Sequence, residues 1–451
     1  MAKYGVNFTE GSVVKNHLIF ALPLMATSIL QLFYNAADQI VVGRWTGSQA
    51  LAAIGATSQL YLLIINLFIG LSVGAGIVVS RKYGAKDMFG LNRTCHSAVG
   101  VSLILGIVAM IMGLVFCRPL LLLLGTPENV IELSVVYMRI LFIGAPFVLV
   151  YNFGASILRS VGDTKRPLYI LSVTGIVNVG LNLLLVIAFH MGVAGVAIAT
   201  ITANFLSSAA ILYMLCNSDA PYRIRLENVK IYKDDLINFI KIGLPAGLQS
   251  IMYNVSNAVL QSSVNAFGMI YIACNTAVGG LESFLYFATN AFYQSTLTSV
   301  GQNYGAKNEK RIYKSLWSGI LCTSVTGIIL SAVLIIFSRQ LIGIYIVDSP
   351  EAIEIGVVKM FITTIPYFLL GIMEQFGAVL NGIGRVGITA INGFFGTCVF
   401  RVLWAVFVLP AYWNFYWLNA VYPISWVLTL GIHIVTFMVV RKKSMGKMYA
   451  Q

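Results

Sequence analysis

VSRKYGAKD at 79–87 returns as VGQNYGAKN at 300–308. Further matches flank this pair at a spacing of roughly 222 residues. Pro23, Ser28, Asn35 and Gln39 match Pro245, Ser250, Asn257 and Gln261, and LRSVGD (158–163) matches LNGIGR (380–385). GTPE (125–128) has a weaker echo in DSPE (348–351). Apolar segments long enough to span a bilayer, about 20 residues each, fall near 15–42, 51–80, 94–117, 131–157, 167–189, 193–216, 237–264, 271–299, 313–337, 352–380, 387–410 and 417–440. That is six per repeat. An even number returns the chain to its starting side, so both halves run the same way through the membrane. Such parallel repeats are a transporter architecture. The expected fold is an all-α polytopic membrane protein with twelve transmembrane helices in two pseudo-symmetric six-helix bundles. Residues 1–216 form an N-lobe with helices 1–6, 217–236 a cytoplasmic linker, and 237–451 a C-lobe with helices 7–12 and a short basic tail.

Composition supports this. The 451 residues are 58% hydrophobic and 10% charged, against about 25% charged in soluble domains. The bilayer is therefore the main partner of the surface. The net charge of +13 is a topology signal and implies no nucleic acid. With the N-terminus cytoplasmic, Lys3, Lys15, the clusters at 81–93, 159–166, 223–241 and 307–314, Arg385 and the tail residues Arg441, Lys442, Lys443 and Lys447 all fall inside. Only Arg44, Arg118 and Arg339 fall outside, and Arg139, Lys359 and Arg401 lie within spans. By the positive-inside rule both termini are cytoplasmic. The first span is too long for a signal peptide and is expected to stay in the membrane. The six cysteines are scattered and read as small hydrophobes.

Inside QLFYNAADQIVVGRWTGSQALAA (31–53) stands one carboxylate, Asp38. It lies 23 residues beyond Lys15, about 35 Å of helix at ~1.5 Å per residue, in the outer half of the first span. A charge at bilayer depth costs roughly 2.5–3.5 kcal/mol on insertion scales, so such a residue is a functional candidate. Its repeat partner is Leu260, so the second half lacks the carboxylate. The plain alternative is a helix-end Asp bonded to Arg44. Asn178 and Asn182 are four apart and share one helix face. With Thr200 they offer amide and hydroxyl oxygens that suit either a hard cation such as sodium or a protonated Asp38; interhelical packing is the alternative. Tyr34 and Asn35 flank Asp38.

YNAADQIVVGRWTGSQALAA (34–53), the GA-containing end of the second span (83–86) and LRSVGDTKRP (158–167) together resemble the multidrug and toxic compound extrusion (MATE) family over essentially the whole chain. The resemblance implies two six-helix bundles facing a central cavity. It implies export of amphipathic, often cationic small molecules in exchange for protons or sodium ions, with no other cofactor, from a bacterial inner membrane. It also implies an N-lobe ion site of the first-span Asp with an Asn and an acidic residue at the spacing of Asn178 and Asn182; here the second is an amide.

In the second half, Glu282 reads as a second proton site, as a counter-charge for a cationic substrate, or as a buried partner of Arg401. Glu374 reads as a gate or a bond to Arg385. Arg139 and Lys359, at near-equivalent places, read as structural or snorkelling residues. Tyr253, Phe284, Tyr286, Phe287, Tyr293 and Tyr367 are candidates to line a substrate cavity through cation–π contacts. Gly74, Gly76, Gly279 and Gly280 suit close helix contacts, His433 packing, and Asp234–Asp235 solvated linker charge. A lipid-linked oligosaccharide flippase is the nearest rival, disfavoured by few intramembrane basic residues. A membrane-embedded transferase would need paired acidic motifs, and no GxxxxGK[ST] loop supports an ATPase. The chain reads as a complete transporter, functional as a monomer, and not as an enzyme.

Overall fold

The computed structural model describes residues 5–123, 125–347 and 349–449, with side chains at all of these but 48, 51 and 442–449. Lys3, Asp348 and the side chains of Lys442, Lys443 and Lys447, used above for repeat and topology, lie outside the described residues. Among the described residues all regular structure is helical. The first half runs α1 Val13–Trp45, α2 Ser48–Gly84, α3 Met88–Leu123, α4 Glu128–Ile143, α5 Ala145–Ser160, α6 Lys165–Asn182 and α7 Gly192–Cys216. The second runs α8 Lys233–Ala266, α9 Met269–Gly305, α10 Glu309–Ile336, α11 Ser338–Tyr345, α12 Pro350–Thr364, α13 Tyr367–Gly382, α14 Val386–Gly393, α15 Phe400–Leu403, α16 Leu409–Ala411 and α17 Phe415–Tyr449.

Among the described residues nine helical stretches are long and apolar enough to cross a bilayer, and α4–α5, bent by 46°, make a tenth. α8 and α9, at 34 and 37 residues, complete the twelve; runs of Asn, Gln and Ser leave them less apolar. The α4–α5 bend has a cause in Gly144-Ala145-Pro146, because Pro146 at the start of α5 has no N–H to give the turn before it. Pro366 likewise separates α12 from α13, whereas Pro23 and Pro245 sit inside unbroken α1 and α8.

The repeat is written in the backbone. α2 and α9 both end with a lysine in the left-handed region, Lys86 at φ 57° and Lys307 at φ 56°. In each, the next N–H returns to the helix: Asp87 to the Lys82 carbonyl at 3.1 Å, Asn308 to the Asn303 carbonyl at 2.9 Å. This is the Schellman closure, made here without glycine. Gly47 and Gly268, and Gly162 and Gly384, repeat positive φ at matching positions. A wider π turn follows α6 at Leu183–Ala188 and precedes α16 at the matching Trp404–Val408.

Two compact units result, and their borders fall within helices. One unit includes Ala26–Gly247; the other includes Asn7–Met25 and the chain from Leu248 on. The expected cuts at 216 and 237 thus differ from the contact borders, which lie in α1 and α8. In the first unit, Gly74 lets α2 meet α8: a Cβ there would lie 2.7 Å from the Gly243 nitrogen. At Gly76 it would lie 2.3 Å from Ser156 Oγ. Close packing of small residues is how helices associate in lipid. Gly279 has nothing within 4 Å and Gly280 only ordinary contacts, so the expectation of close contact does not hold there.

The linker is better ordered than solvated charge requires. Asp234 is exposed, but Asp235 is buried in the first turn of α8. It accepts from Arg93 Nε at 3.1 Å and from Thr94 Oγ1 at 3.2 Å. In the second unit, Phe8 is fully buried. Its carbonyl accepts from Arg311 Nη2 at 2.8 Å and from Asn303 Nδ2 at 3.1 Å. The six cysteines are all free, and five are buried.

Candidate cation site in the first unit

Asp38 sits four turns past Pro23 on α1, where α1 packs on α6 and α7. The apolar cluster of Val41, Val42, Ala50, Ile54, Tyr137, Leu141, Val186, Val193, Val196 and Ala197 holds this end of α1 against α2, α4 and α7. Asp38 is half-buried. Asn182 Nδ2 donates to Asp38 Oδ1, and the same amide reaches Asn178 Oδ1 at 3.4 Å. Asn178 and Asn182 are 6% and 1% exposed, so this is an interior contact. Asn182 Oδ1 is buried with no hydrogen-bond partner among the described residues. The alternative partner Arg44 makes no ion pair with Asp38 among those residues.

A cavity of about 310 Å³ opens beside the carboxylate. Its lining includes Tyr34, Asn35, Asp38, Asn178 and Thr200, so five of the six residues chosen from sequence share one space. The sixth, Asn182, supports Asp38 from behind. Tyr34 donates to the Ser172 carbonyl at 3.1 Å, and Thr200 donates to the Val196 carbonyl at 2.9 Å. Thr200 Oγ1 thus keeps lone pairs for a cation. Tyr34 sits close against α6 because Gly175 has no side chain: a Cβ there would be 1.9 Å from the ring.

Sequence reasoning missed Gln31, Leu171, Thr174, Gly175, Ala203, Asn204 and Ser207 of the lining. Part of this was legible. Thr200, Asn204 and Ser207 fall at i, i+4 and i+7 on a mostly apolar helix, which puts them on one face. Ser207 donates to Thr174 Oγ1 at 2.8 Å and ties that face to α6. Among the described residues no group of three or more His, Cys, Asp or Glu side chains is placed to hold a metal ion. The site offers one carboxylate and neutral oxygens, a match for a single monovalent cation or a proton.

The MatE family pattern matches residues 23–184 and again 245–407, once per repeat. The chain belongs to the MatE family. It is 27% identical to "Probable multidrug resistance protein YoeA" of Bacillus subtilis (strain 168) over 385 residues, 84% of this chain and 83% of that one. It is 24% identical to multidrug export protein MepA of Staphylococcus saprophyticus, covering 89% of this chain and 92% of that one. A solved outward-facing structure of a multidrug resistance MATE family transporter has the same fold: TM-score 0.90, 23% identity, full coverage of both chains. These relatives are transporters, not enzymes, and the family assignment agrees with the resemblance read from 34–53 and 158–167.

The other candidates lie outside this cavity. Glu282 on α9 accepts from Thr363 Oγ1 of α12. It does not pair with Arg401, which donates instead to Asn257 and Ser425. Lys359 and Arg139 are not alike. Arg139 is exposed, whereas Lys359 is 3% exposed and donates to Asn275 Oδ1 at 2.6 Å. Lys359 faces the α9 side of α12 rather than snorkelling, and Asn275 in turn donates to Gln261 at 2.8 Å. The expected Glu374–Arg385 bond is not formed among the described residues; Glu374 Oε2 is buried with no hydrogen-bond partner among them. His433 is buried with Nδ1 3.4 Å from the Met373 carbonyl, a packing role. None of Tyr253, Phe284, Tyr286, Phe287, Tyr293 and Tyr367 lines the Asp38 cavity. Tyr367 packs edge-on to Trp426 at 5.4 Å, Tyr293 accepts from Asn381 at 2.9 Å, and Phe284 and Tyr286 are exposed.

Proposed function

We propose that this MatE chain is a secondary antiporter that exports amphipathic, often cationic small molecules in exchange for one monovalent cation, proton or sodium, bound at Asp38. The observation that carries the reading is a carboxylate at bilayer depth that opens on a cavity and, among the described residues, is held by an amide and no cation. An ion pair would have neutralised Asp38 permanently. An amide leaves its charge to be matched by an ion that comes and goes. Protonation fits the Asn182 amide: turned over, its unpartnered oxygen accepts the new O–H. Sodium would draw on the oxygens of Asp38, Asn178, Asn182 and Thr200. Binding that differs between two conformations is what lets the ion drive alternating access. The multidrug resistance name of YoeA and the multidrug export name of MepA support the substrate class, and Glu282 with the second-unit aromatics remains the proposed substrate-facing set. The positive-inside pattern supports cytoplasmic termini, the bacterial relatives support a bacterial inner membrane, and the presence of both repeats in one chain supports a working monomer.

The test is ethidium transport in proteoliposomes with a proton gradient or a sodium gradient imposed separately. Gradient-driven flux in the wild type that disappears in Asp38→Asn is the expected result, and the effective gradient names the ion. Equal flux in the two proteins under the same gradient would defeat the reading.

A further inference from the structure

The Asp38 site has a counterpart of opposite charge in the second unit. Asp38 and Asn182 are bonded across a chain separation of 144 residues, and so are Asn257 and Arg401. Both pairs join the first span of a repeat to its fifth. Asn257 is the repeat partner of Asn35, Leu260 that of Asp38, and Arg401 falls one residue beyond the position matching Asn178. A glycine faces a tyrosine here too, about one turn away in register: Gly393 and Tyr253 match Leu171 and Gln31 rather than Gly175 and Tyr34, and a Cβ on Gly393 would be 2.7 Å from the Tyr253 hydroxyl.

Arg401 fills this place itself. Its side chain is buried, with the residue 5% exposed. Nη1 donates to Asn257 Oδ1 at 3.0 Å, Nε donates to Ser425 Oγ at 3.1 Å, and the guanidinium lies 4.6 Å over the Tyr422 ring. The titratable groups facing it are Tyr253 of α8, Tyr367 of α13, Tyr422 of α17 and Cys398 of the turn after α14. None is a carboxylate, and among the described residues Arg401 makes no ion pair. An amide oxygen, a hydroxyl oxygen and an aromatic face are the ligands a bare monovalent cation would take. A guanidinium stays charged at any working pH and cannot dissociate from the chain.

We propose that Arg401 is a tethered cation standing at the second unit's counterpart of the coupling-ion position, so that this unit exchanges no ion and Asp38 alone carries the coupling. The proposal rests on the assignment of Asp38 as the coupling site and adds the stoichiometry: one ion per cycle.

Ion binding to the purified full chain in detergent tests this without a substrate. Sodium-22 retained and proton uptake from weakly buffered solution are each read as differences between variants, over the range in which Asp38 loads. Wild type should exceed Asp38→Asn by one ion. Arg401→Lys and Glu282→Gln should each equal wild type. Leu260→Asp combined with Arg401→Gln should exceed wild type by one, because a carboxylate then replaces the built-in charge. One ion fewer in Glu282→Gln, or no gain in a folded double variant that still loads Asp38, would overturn the tethered-cation assignment. If the double variant fails to fold, the Arg401→Lys and Glu282→Gln counts decide. No difference between wild type and Asp38→Asn would instead defeat the coupling assignment at Asp38.

Discussion

Asp38–Asn182 and Arg401–Asn257 stand at matching helix crossings of two repeats with one fold. One pairs an acid with an amide beside a cavity; the other pairs a base with an amide, capped by an aromatic ring. The helices, the chain separation and a glycine–tyrosine contact are shared; the sign of the charge, the helix that carries it and the access to it differ. A repeat can therefore keep its packing while one half is opened to an exchangeable ion and the other is filled by a side chain. The packing depends on volume and small residues, which tolerate either charge. The function depends on whether the charge is left for an outside ion to neutralise.

The largest way to break this comparison is Asp38→Asn. Gradient-driven ethidium flux in proteoliposomes should fall to the level seen without a gradient, with the protein still folded, because an amide of the same shape keeps the packing. Next is Asn182→Leu, which leaves the Asp38 carboxylate without its donor. A hydrogen bond to a charged group is worth roughly 1.5–3 kcal/mol, or about 10–100-fold. For a proton, the pH of half-maximal driven flux should rise, because the free carboxylate loses its donor; for sodium, the half-maximal concentration should rise instead, because the proposed Asn182 ligand oxygen is lost with the amide.

Two smaller effects sharpen the structural half of the comparison. Gly175→Ala forces a Cβ against the Tyr34 ring at 1.9 Å, whereas Gly393→Ala meets the hydroxyl end of Tyr253 at 2.7 Å. The first should lower detergent-state stability by about 1–3 kcal/mol and the second by less, measured by thermal unfolding. If Gly393→Ala were the more harmful, the two crossings would not be packed alike. The smallest effect lies at the caps of α3 and α10. Asp87 Oδ1 accepts from the Gly90 N–H at 2.8 Å, and Asn308 Oδ1 accepts from the Arg311 N–H at 3.1 Å. Replacing either by Ala should cost about 1 kcal/mol. They differ in pH dependence. The hydrogen bond from Lys82, with the Gly90 N–H, holds Asp87 below the usual carboxylate pKa. A depressed folded pKa gives stability that is present above the unfolded value, about 3.9, and is lost as pH falls through the folded one. The Asp87→Ala cost should therefore shrink in acid, and the Asn308→Ala cost should not, as read from paired unfolding curves.

Much of this was legible in the chain. Hydropathy, the recurrence of YGAK and the one-sided Lys and Arg distribution are one-dimensional signals, set by the bilayer's thickness and charge. They gave the spans and the repeat. Asp38 was legible because a carboxylate in an apolar run has a cost that asks for a reason. Thr200, Asn204 and Ser207 were legible as a polar face, although only Thr200 was read. What the sequence left open was the partner of each buried charge. Lys359 and Arg139 look equivalent in register, yet one faces Asn275 and the other is exposed. Asp235 reads as linker charge and is buried under Arg93. Arg401 had Glu282 as an apparent mate and chose Asn257, 144 residues away. Periodicity along one helix says which residues share a face; it does not say which other helix that face meets. That choice is made by how whole helices pack, through glycines and bends far from the charges themselves, and so the partner and solvation of each intramembrane charge were decided only by the tertiary structure.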